Sequence, residues 1–184
     1  SEILAYFATD ASTAHTPPAN DENTNARYPA GVTWEPDPDI AQLDDETDAW
    51  TAYVVGHPAA SISHCAEWRE LIRQTFGHDC PYFLARDRNR RIVGVLPLVH
   101  LHSRLFGNFM VSMPYFNYGG TIADHPVIEQ RLMEAANAYA ENRGIRHIEY
   151  RDTILREGLP VRSKKVCMLL QLPDSHAVLW QSFP

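Results

Sequence analysis

The stretch HIEYRD, residues 147 to 152, is the part of this sequence best suited to acid–base chemistry. Alternation along a strand puts His147, Glu149 and Arg151 on one face and Ile148 and Tyr150 on the other. A glutamate in a central strand is costly to bury without a partner, so two readings follow. Either Glu149 is a base of raised pKa that takes a proton from an amine, or it forms an ion pair with Arg151 or another arginine. A second stretch, MVSMPYFNYGG at 110 to 120, gathers three aromatics, an asparagine and a double glycine around Pro114. Read as a strand, it presents Tyr115, Asn117 and Gly119 to one side, and Pro114, which cannot donate to a ladder, imposes a bulge or a splay. Those side chains face either a cleft or the core. Gly119 and Gly120 permit positive φ or close backbone packing, or face a substrate if their backbone is exposed.

Other chemistries find less in the sequence. Four potential metal ligands occur in SHC (63–65) and HDC (78–80), but one helix separates the pairs by roughly 20 Å, and His100 with His102 supplies only two ligands. No metal site is expected. No G-x-S-x-G elbow occurs, and Cys65 falls on an apolar helical face where a thiol is inert. The three cysteines form no C-x-x-C pair, which argues against a disulfide framework and for reduced thiols.

The net charge of −7 is unevenly spread. Residues 1–50 hold eleven Asp or Glu against the single Arg27, leaving fifteen basic and twelve acidic residues in the remainder. That weak balance, without a basic stripe, does not suggest DNA. No apolar run approaches eighteen residues and no signal peptide is evident, so a cytoplasmic chain with no membrane span is expected.

The elements that must position these residues follow from periodicity. Residues 1–48 read as a largely flexible acidic leader, with GVTW (31–34) as a possible short strand, and 49–184 as the folded domain. DDETDAWTAYVVGHP predicts a short helix carrying Trp50, Tyr53 and Val54, and His57 and His78 read as loop or cap residues. In SISHCAEWRELIRQTFGH, Cys65, Trp68, Leu71, Ile72 and Phe76 share a face, Ser63 is placed as the cap and Gly77 as the stop. CPYFLARD and RRIVGVLPLVHLHSR predict an antiparallel hairpin across RDRNR, and NFMVSMPYFNYGGTIA a third strand. RLMEAANAYAENRG predicts a helix with Leu132, Ala135, Ala136 and Tyr139 inward, closed by Gly144. IRHIEYRD and KKVCMLLQLP predict strands, and DSHAVLWQSF a last helix capped by Asp174 or Ser175. A meander followed by a helical crossover to another strand predicts an α/β fold with a mixed sheet flanked by helices. A capped last helix with so little left to pack against suggests part of a longer protein.

Taken in order, GVLPLV, S-R-LFG, S-M-P-Y and N-Y-GG, with HIEYRD and KKVCMLLQLP, resemble the first half of FemAB-like proteins of the GNAT superfamily. The branch is the one associated with exosortase-linked exopolysaccharide systems, and the resemblance runs from about residue 50 onward. It implies a GNAT-like domain whose partner is a second GNAT-like half of the same protein. The pair would transfer an aminoacyl or acyl group to an amine on a saccharide or peptide precursor of cell wall or exopolysaccharide. The acceptor amine would attack a thioester or ester carbonyl directly, with no covalent enzyme intermediate. The donor, acyl-CoA or aminoacyl-tRNA, would be held mainly by the second half, so no cofactor is expected in this one. The nearest match to the phosphate-binding signature of single-domain acyltransferases is RLFGNF, 104 to 109. Phe109 stands there where Gly or Ala is needed, and a strand follows instead of a helix. On the resemblance, Glu149 and Tyr115 are the candidate catalytic residues, and Asn117, Tyr118, Gly119, Gly120 and Arg151 the candidate substrate-binding ones. The competing expectation is a noncatalytic module that holds the acceptor or docks the second half.

Overall fold

The structure is a computed structural model that describes residues 27–29, 37–103, 105, 107–156, 158–161, 173, 175–181 and 183. The GVTW and KKVCMLLQLP strand expectations lie outside the described residues, as do Asp174, Arg104 and Phe106. Strands are β1 (Asp39–Gln42), β2 (Phe83–Arg86), β3 (Ile92–Leu96), β4 (Val99–Ser103), β5 (Gly107–Val111), β6 (Ile122–Ala123) and β7 (Ile148–Glu149). Helices are α1 (Thr47–Gly56), α2 (Glu67–Phe76), α3 (Pro126–Asn142) and α4 (His176–Gln181), with a 3-10 turn at Ile62–His64.

One bent hairpin organises both sheets. β2 pairs antiparallel with β3, and the bridge of Asp79 with His100 continues the same register past the end of β3. Pro97 has no N–H for a ladder, so the long run expected as one strand changes sheet there and becomes β3 and β4. On the other flank β5 pairs with β4, and β6 with β3. Val99 faces Val111 and Val95 faces Ile122, so the three residues 96–98 are opposed by the ten residues 112–121. The sheets are ordered β1-β2-β3-β6 and β4-β5-β7, and β5 with β7 is a parallel pair joined by the α3 crossover.

Alternation sorts the core into two faces. Phe83, Ala85, Leu96 and Leu98 pack with Ile128, Leu132, Ala136 and Ala140 of α3. Tyr82, Leu84, Val95 and Val99 turn the other way, onto Trp50 and Val54 of α1 and Ile72 of α2. Both faces are covered, which explains why β2 and β3 read as apolar runs.

Several local expectations need correction. The presumed flexible leader contributes the edge strand β1 and a buried arginine, Arg27. Ser63 does not cap α2: it is buried inside the 3-10 turn, whose cap is Ser61. Cys65 precedes α2, and Leu71 and Phe76 are about half exposed, so only Ile72 of that face is fully buried. Gly77 ends α2 in the left-handed conformation as expected. The helix expected from Arg131 starts earlier, at Pro126, because proline suits a first helical position. Ser175 Oγ accepts from Val178 N–H at 3.3 Å at the start of α4.

Candidate functional site

The stretch expected to continue as a proline-bent strand leaves the sheet altogether. β5 stops at Val111, and residues 112–121 form a loop at the carboxyl ends of the parallel strands β5 and β7. Met113 is fully buried with φ of 54°, a left-handed conformation that costs a non-glycine residue about 1–2 kcal/mol. Its sulfur accepts from Tyr82 O–H at 3.2 Å, and its carbonyl accepts from Phe116 N–H at 3.0 Å. Strain held in place by packing in this way concentrates at sites that bind or react.

The segment after β7 clamps the loop. Ser112 N–H donates to Glu149 O at 2.9 Å, and Gly119 N–H to Arg151 O at 3.0 Å. Arg151 N–H donates to Ser112 Oγ at 2.7 Å. The Arg151 guanidinium places Nη1 on the carbonyls of Pro114 and Phe116, at 2.6 and 2.7 Å, and Nε on Glu149 Oε1 at 2.8 Å. Ile148 and Tyr150 are buried while Glu149 and Arg151 are about one-third exposed, as the alternation predicts. Glu149 is therefore the carboxylate of an ion pair at the rim, and one of its oxygens is occupied by Arg151.

The loop side chains divide by exposure. Tyr115 is 47% exposed and Tyr118 38%, and Asn117 is exposed too, whereas Phe116 packs edge-on against Trp68 at 4.9 Å. Tyr115 is not brought to Glu149 by any contact; its ring stacks on Phe76 at 4.6 Å. Burial against α2 raises its phenol pKa.

Gly119 and Gly120 are buried, which corrects their expected role as substrate-facing backbone. Neither has positive φ. They are glycines for close approach: a Cβ on Gly119 would lie 2.6 Å from Met113 Cβ, and one on Gly120 would lie 1.7 Å from Asp152 Oδ1. The Gly120 carbonyl meets His64 Nε2 at 3.1 Å. His64 Nδ1 accepts from Ser61 N–H, so Nε2 carries the proton, and burial lowers the pKa of this ring.

Behind the loop lies a buried charge cluster that the sequence did not disclose. Glu129, only 2% exposed, accepts from Arg27 Nε and Nη2 at 3.0 and 2.9 Å, from Tyr28 O–H at 3.2 Å and from Arg156 Nη1 at 2.7 Å. Arg156 also donates to Asp152, and Arg27 to the Thr121 carbonyl. The available signal was that Arg27 is the single basic residue among the first fifty.

Other expected sites can be placed as well. Among the described residues no three His, Cys, Asp or Glu gather as a metal set. Burial pushes the Cys80 thiol up to about 11 and raises Cys65, so neither is poised as a thiolate. His57 caps the end of α1, buried, with Nε2 at 3.2 Å from Ala123 O. No described helix is long and apolar enough to cross a membrane.

The start of α3 tests whether this chain could hold an acyl carrier's pyrophosphate. Pro126 has no N–H, Val127 N–H donates to His125 Nδ1, and Ile128 and Glu129 N–H both donate to His125 O. Asp124, a carboxylate, immediately precedes them. The first turn is already capped and does not fit an anionic carrier.

The chain has the GNAT N-acyltransferase fold, here with helix-flanked sheets and a parallel pair spanned by α3. The fold is shared with the ribosomal-protein-alanine N-acetyltransferase of Brucella melitensis biovar Abortus 2308, with TM-score 0.50 and 13% identity over 74% of this chain and 99% of that one. A GNAT family acetyltransferase of Staphylococcus aureus is also similar, at TM-score 0.47 and 10% identity over 72% of this chain and 98% of that one. So is an aminoglycoside antibiotic 6'-N-acetyltransferase of Acinetobacter haemolyticus, at TM-score 0.47 and 13% identity over 73% and 99%. No protein-family profile and no curated protein matches the sequence.

Proposed function

We propose that this chain is the amino-terminal half of a FemAB-like aminoacyl or acyl transferase that acts on an amine of a cell-wall or exopolysaccharide precursor. The observation that carries the reading is the loop 112–121. It stands at the carboxyl ends of parallel strands in a GNAT fold, where open α/β sheets place their ligands. It also offers Tyr115, Asn117 and Tyr118 to solvent near the Glu149–Arg151 pair. In this role Tyr115, Asn117 and Tyr118 hold the acceptor. The free oxygen edge of Glu149 takes the proton that the amine releases on attack, and Arg151 fixes the carboxylate and the loop together. The donor, acyl-CoA or aminoacyl-tRNA, is assigned to the second GNAT-like half, in keeping with the capped start of α3. A cytoplasmic location follows from donors of that kind.

One observation favours a second reading, in which this half binds and docks without catalysing. Arg151 already occupies Oε1 of Glu149, and the stacked Phe76–Tyr115 pair offers an exposed aromatic surface suited to a partner. The two readings separate in one assay of the full-length protein with acyl-CoA or aminoacyl-tRNA and an amine acceptor, comparing Glu149→Gln with the unmodified protein. A drop in kcat of a hundredfold or more assigns Glu149 to the chemistry. An unchanged kcat in Glu149→Gln supports the binding module. Absence of transfer to any amine by the full-length protein rejects the transferase reading.

A further inference from the structure

We propose that a cleft remote from the loop, between the end of α1, the turn 87–91 and the start of α3, binds an alkylammonium group with Asp124 as its counter-ion. The cleft encloses about 580 Å³, within the range of small-ligand sites. Asp124 follows β6, and its N–H pairs with Val93 O at 2.9 Å. Val93 precedes Val99, the partner of Val111, by six residues, a contour of roughly 20 Å along β3 and β4 between the cleft and the strand pair that leads to Glu149.

Among the described residues no lysine or arginine forms an ion pair with Asp124. Tyr53 O–H donates to Oδ1 at 2.9 Å, and among the described residues nothing donates to Oδ2. His57, with Nε2 at 3.9 Å, stays neutral: its Nδ1 accepts from Ala59 N–H, so its one proton points from Nε2 to Ala123 O. Arg91 on the rim is spent on Asp87, with Nε at 2.8 Å and Nη2 at 2.7 Å. A carboxylate 16% exposed with a single neutral donor is the acceptor that an ammonium completes. Ile92, Val93 and Ile128 line the cleft beside it and suit an alkyl chain. Asp37, Asp87 and Asp124 outnumber Arg88 and Arg91 in the lining, and the α3 amides are capped by His125, so the cleft favours a cation over an anion.

The amine could belong to a free small molecule or to a lysine side chain, and two probes separate these sources. The 184-residue chain is titrated by calorimetry and NMR with n-hexylamine, with a Gly-Gly-Lys-Gly-Gly peptide, and with hexanol and hexanoate as neutral and anionic controls. The expected result is saturable binding of hexylamine or the peptide with shifts at Tyr53 and Ile128. Hexanol should bind at least tenfold more weakly and hexanoate not at all, and the tighter of the two amines names the source. Asp124→Asn, which keeps an acceptor for Tyr53, should weaken the amine at least tenfold. Absence of saturable amine binding, equal binding of hexanol, tighter binding of hexanoate or an unaffected Asp124→Asn variant would overturn the proposal. No acyl donor is involved, so the outcome is independent of the transferase reading.

Discussion

Arg151 and Pro114 stand 37 positions apart, yet the Arg151 guanidinium rests on the Pro114 carbonyl at 2.6 Å. With the Phe116 carbonyl also on Nη1, one side chain replaces the hydrogen bonds that a strand would have given this loop. Hydrogen bonds from a charged donor contribute about 1.5–3 kcal/mol, and partial exposure puts this pair toward the low end. Arg151→Met should cost about 2 kcal/mol by urea unfolding and speed amide exchange at residues 115–118. Arg151→Lys should recover less than half, because an ammonium cannot hold both carbonyls and Glu149 in one plane. Unchanged exchange in the methionine variant would dissociate the loop from Arg151.

The buried Arg27–Glu129 pair gives a second prediction. Removing one partner of a buried pair costs about 3–5 kcal/mol, because the other charge is left without compensation. Arg156 still faces Glu129 when Arg27 is lost, so Arg27→Met should cost about 3 kcal/mol, read as a lower urea midpoint at constant m-value. Raising salt should change this little, since both groups are shielded from solvent ions.

Two glycine substitutions should differ in sign. Gly120→Ala drives a methyl into Asp152, which Arg156 holds in place, and should cost about 3 kcal/mol. Gly56 lies at the end of α1 with nothing within 4 Å of a new Cβ, so Gly56→Ala should be neutral or gain up to about 1 kcal/mol. Thermal unfolding of both variants checks the contrast, and a tolerated Gly120→Ala would contradict the close approach.

His64 sets a pH dependence. Burial lowers its folded-state pKa below the unfolded value near 6.5, so the unfolded chain binds a proton that the folded chain resists. Its contribution is intact above that unfolded value and is lost as pH falls from about 6.5 toward the lowered folded value. His57 and His147 are lowered too and add in the same direction, while Asp124, raised by burial, acts oppositely in acid. Comparing unfolding at pH 7.5 and 5.5, His64→Gln should lose less stability on acidification than the unmodified chain. An equal loss would show that His64 is protonated in the fold.

Local patterns carried much of the fold. The hairpin across 87–91, the apolar stripe of α3 and the opposite facing of Ile148 and Glu149 all follow from periods of 2 or 3.6 and from turn chemistry. Two features depended on distant partners and stayed hidden. MVSMPYFNY has the β-branched and aromatic character of a strand, and contacts with the distant segment 149–152, together with the buried Met113, make it a turn. Arg27 sits in a polar segment with no periodicity, and its burial is decided by Glu129 and Thr121, more than ninety positions away. The pairing of Glu149 with Arg151 was legible because both lie on one strand face, whereas Asp124 with Tyr53 joins two elements that no local rule connects.

The Arg27–Glu129 contact spans 102 positions, which fixes when it can form as well as where. A ribosome adding about 5–20 residues per second needs roughly 5–20 s to pass from one partner to the other, and longer to release Glu129 from the exit tunnel. Throughout that interval Arg27 has no carboxylate from Glu129 to pair with, and Glu129 emerges before Arg156 can share its charge. The anchor therefore has to wait for the first turn of α3, long after the local contacts of α1 and the β2–β3 hairpin are available to a nascent chain. Truncated synthesis products that end before α3 would leave Arg27 without its carboxylate partner, so quality-control proteases would meet incomplete chains in which that charge is uncompensated.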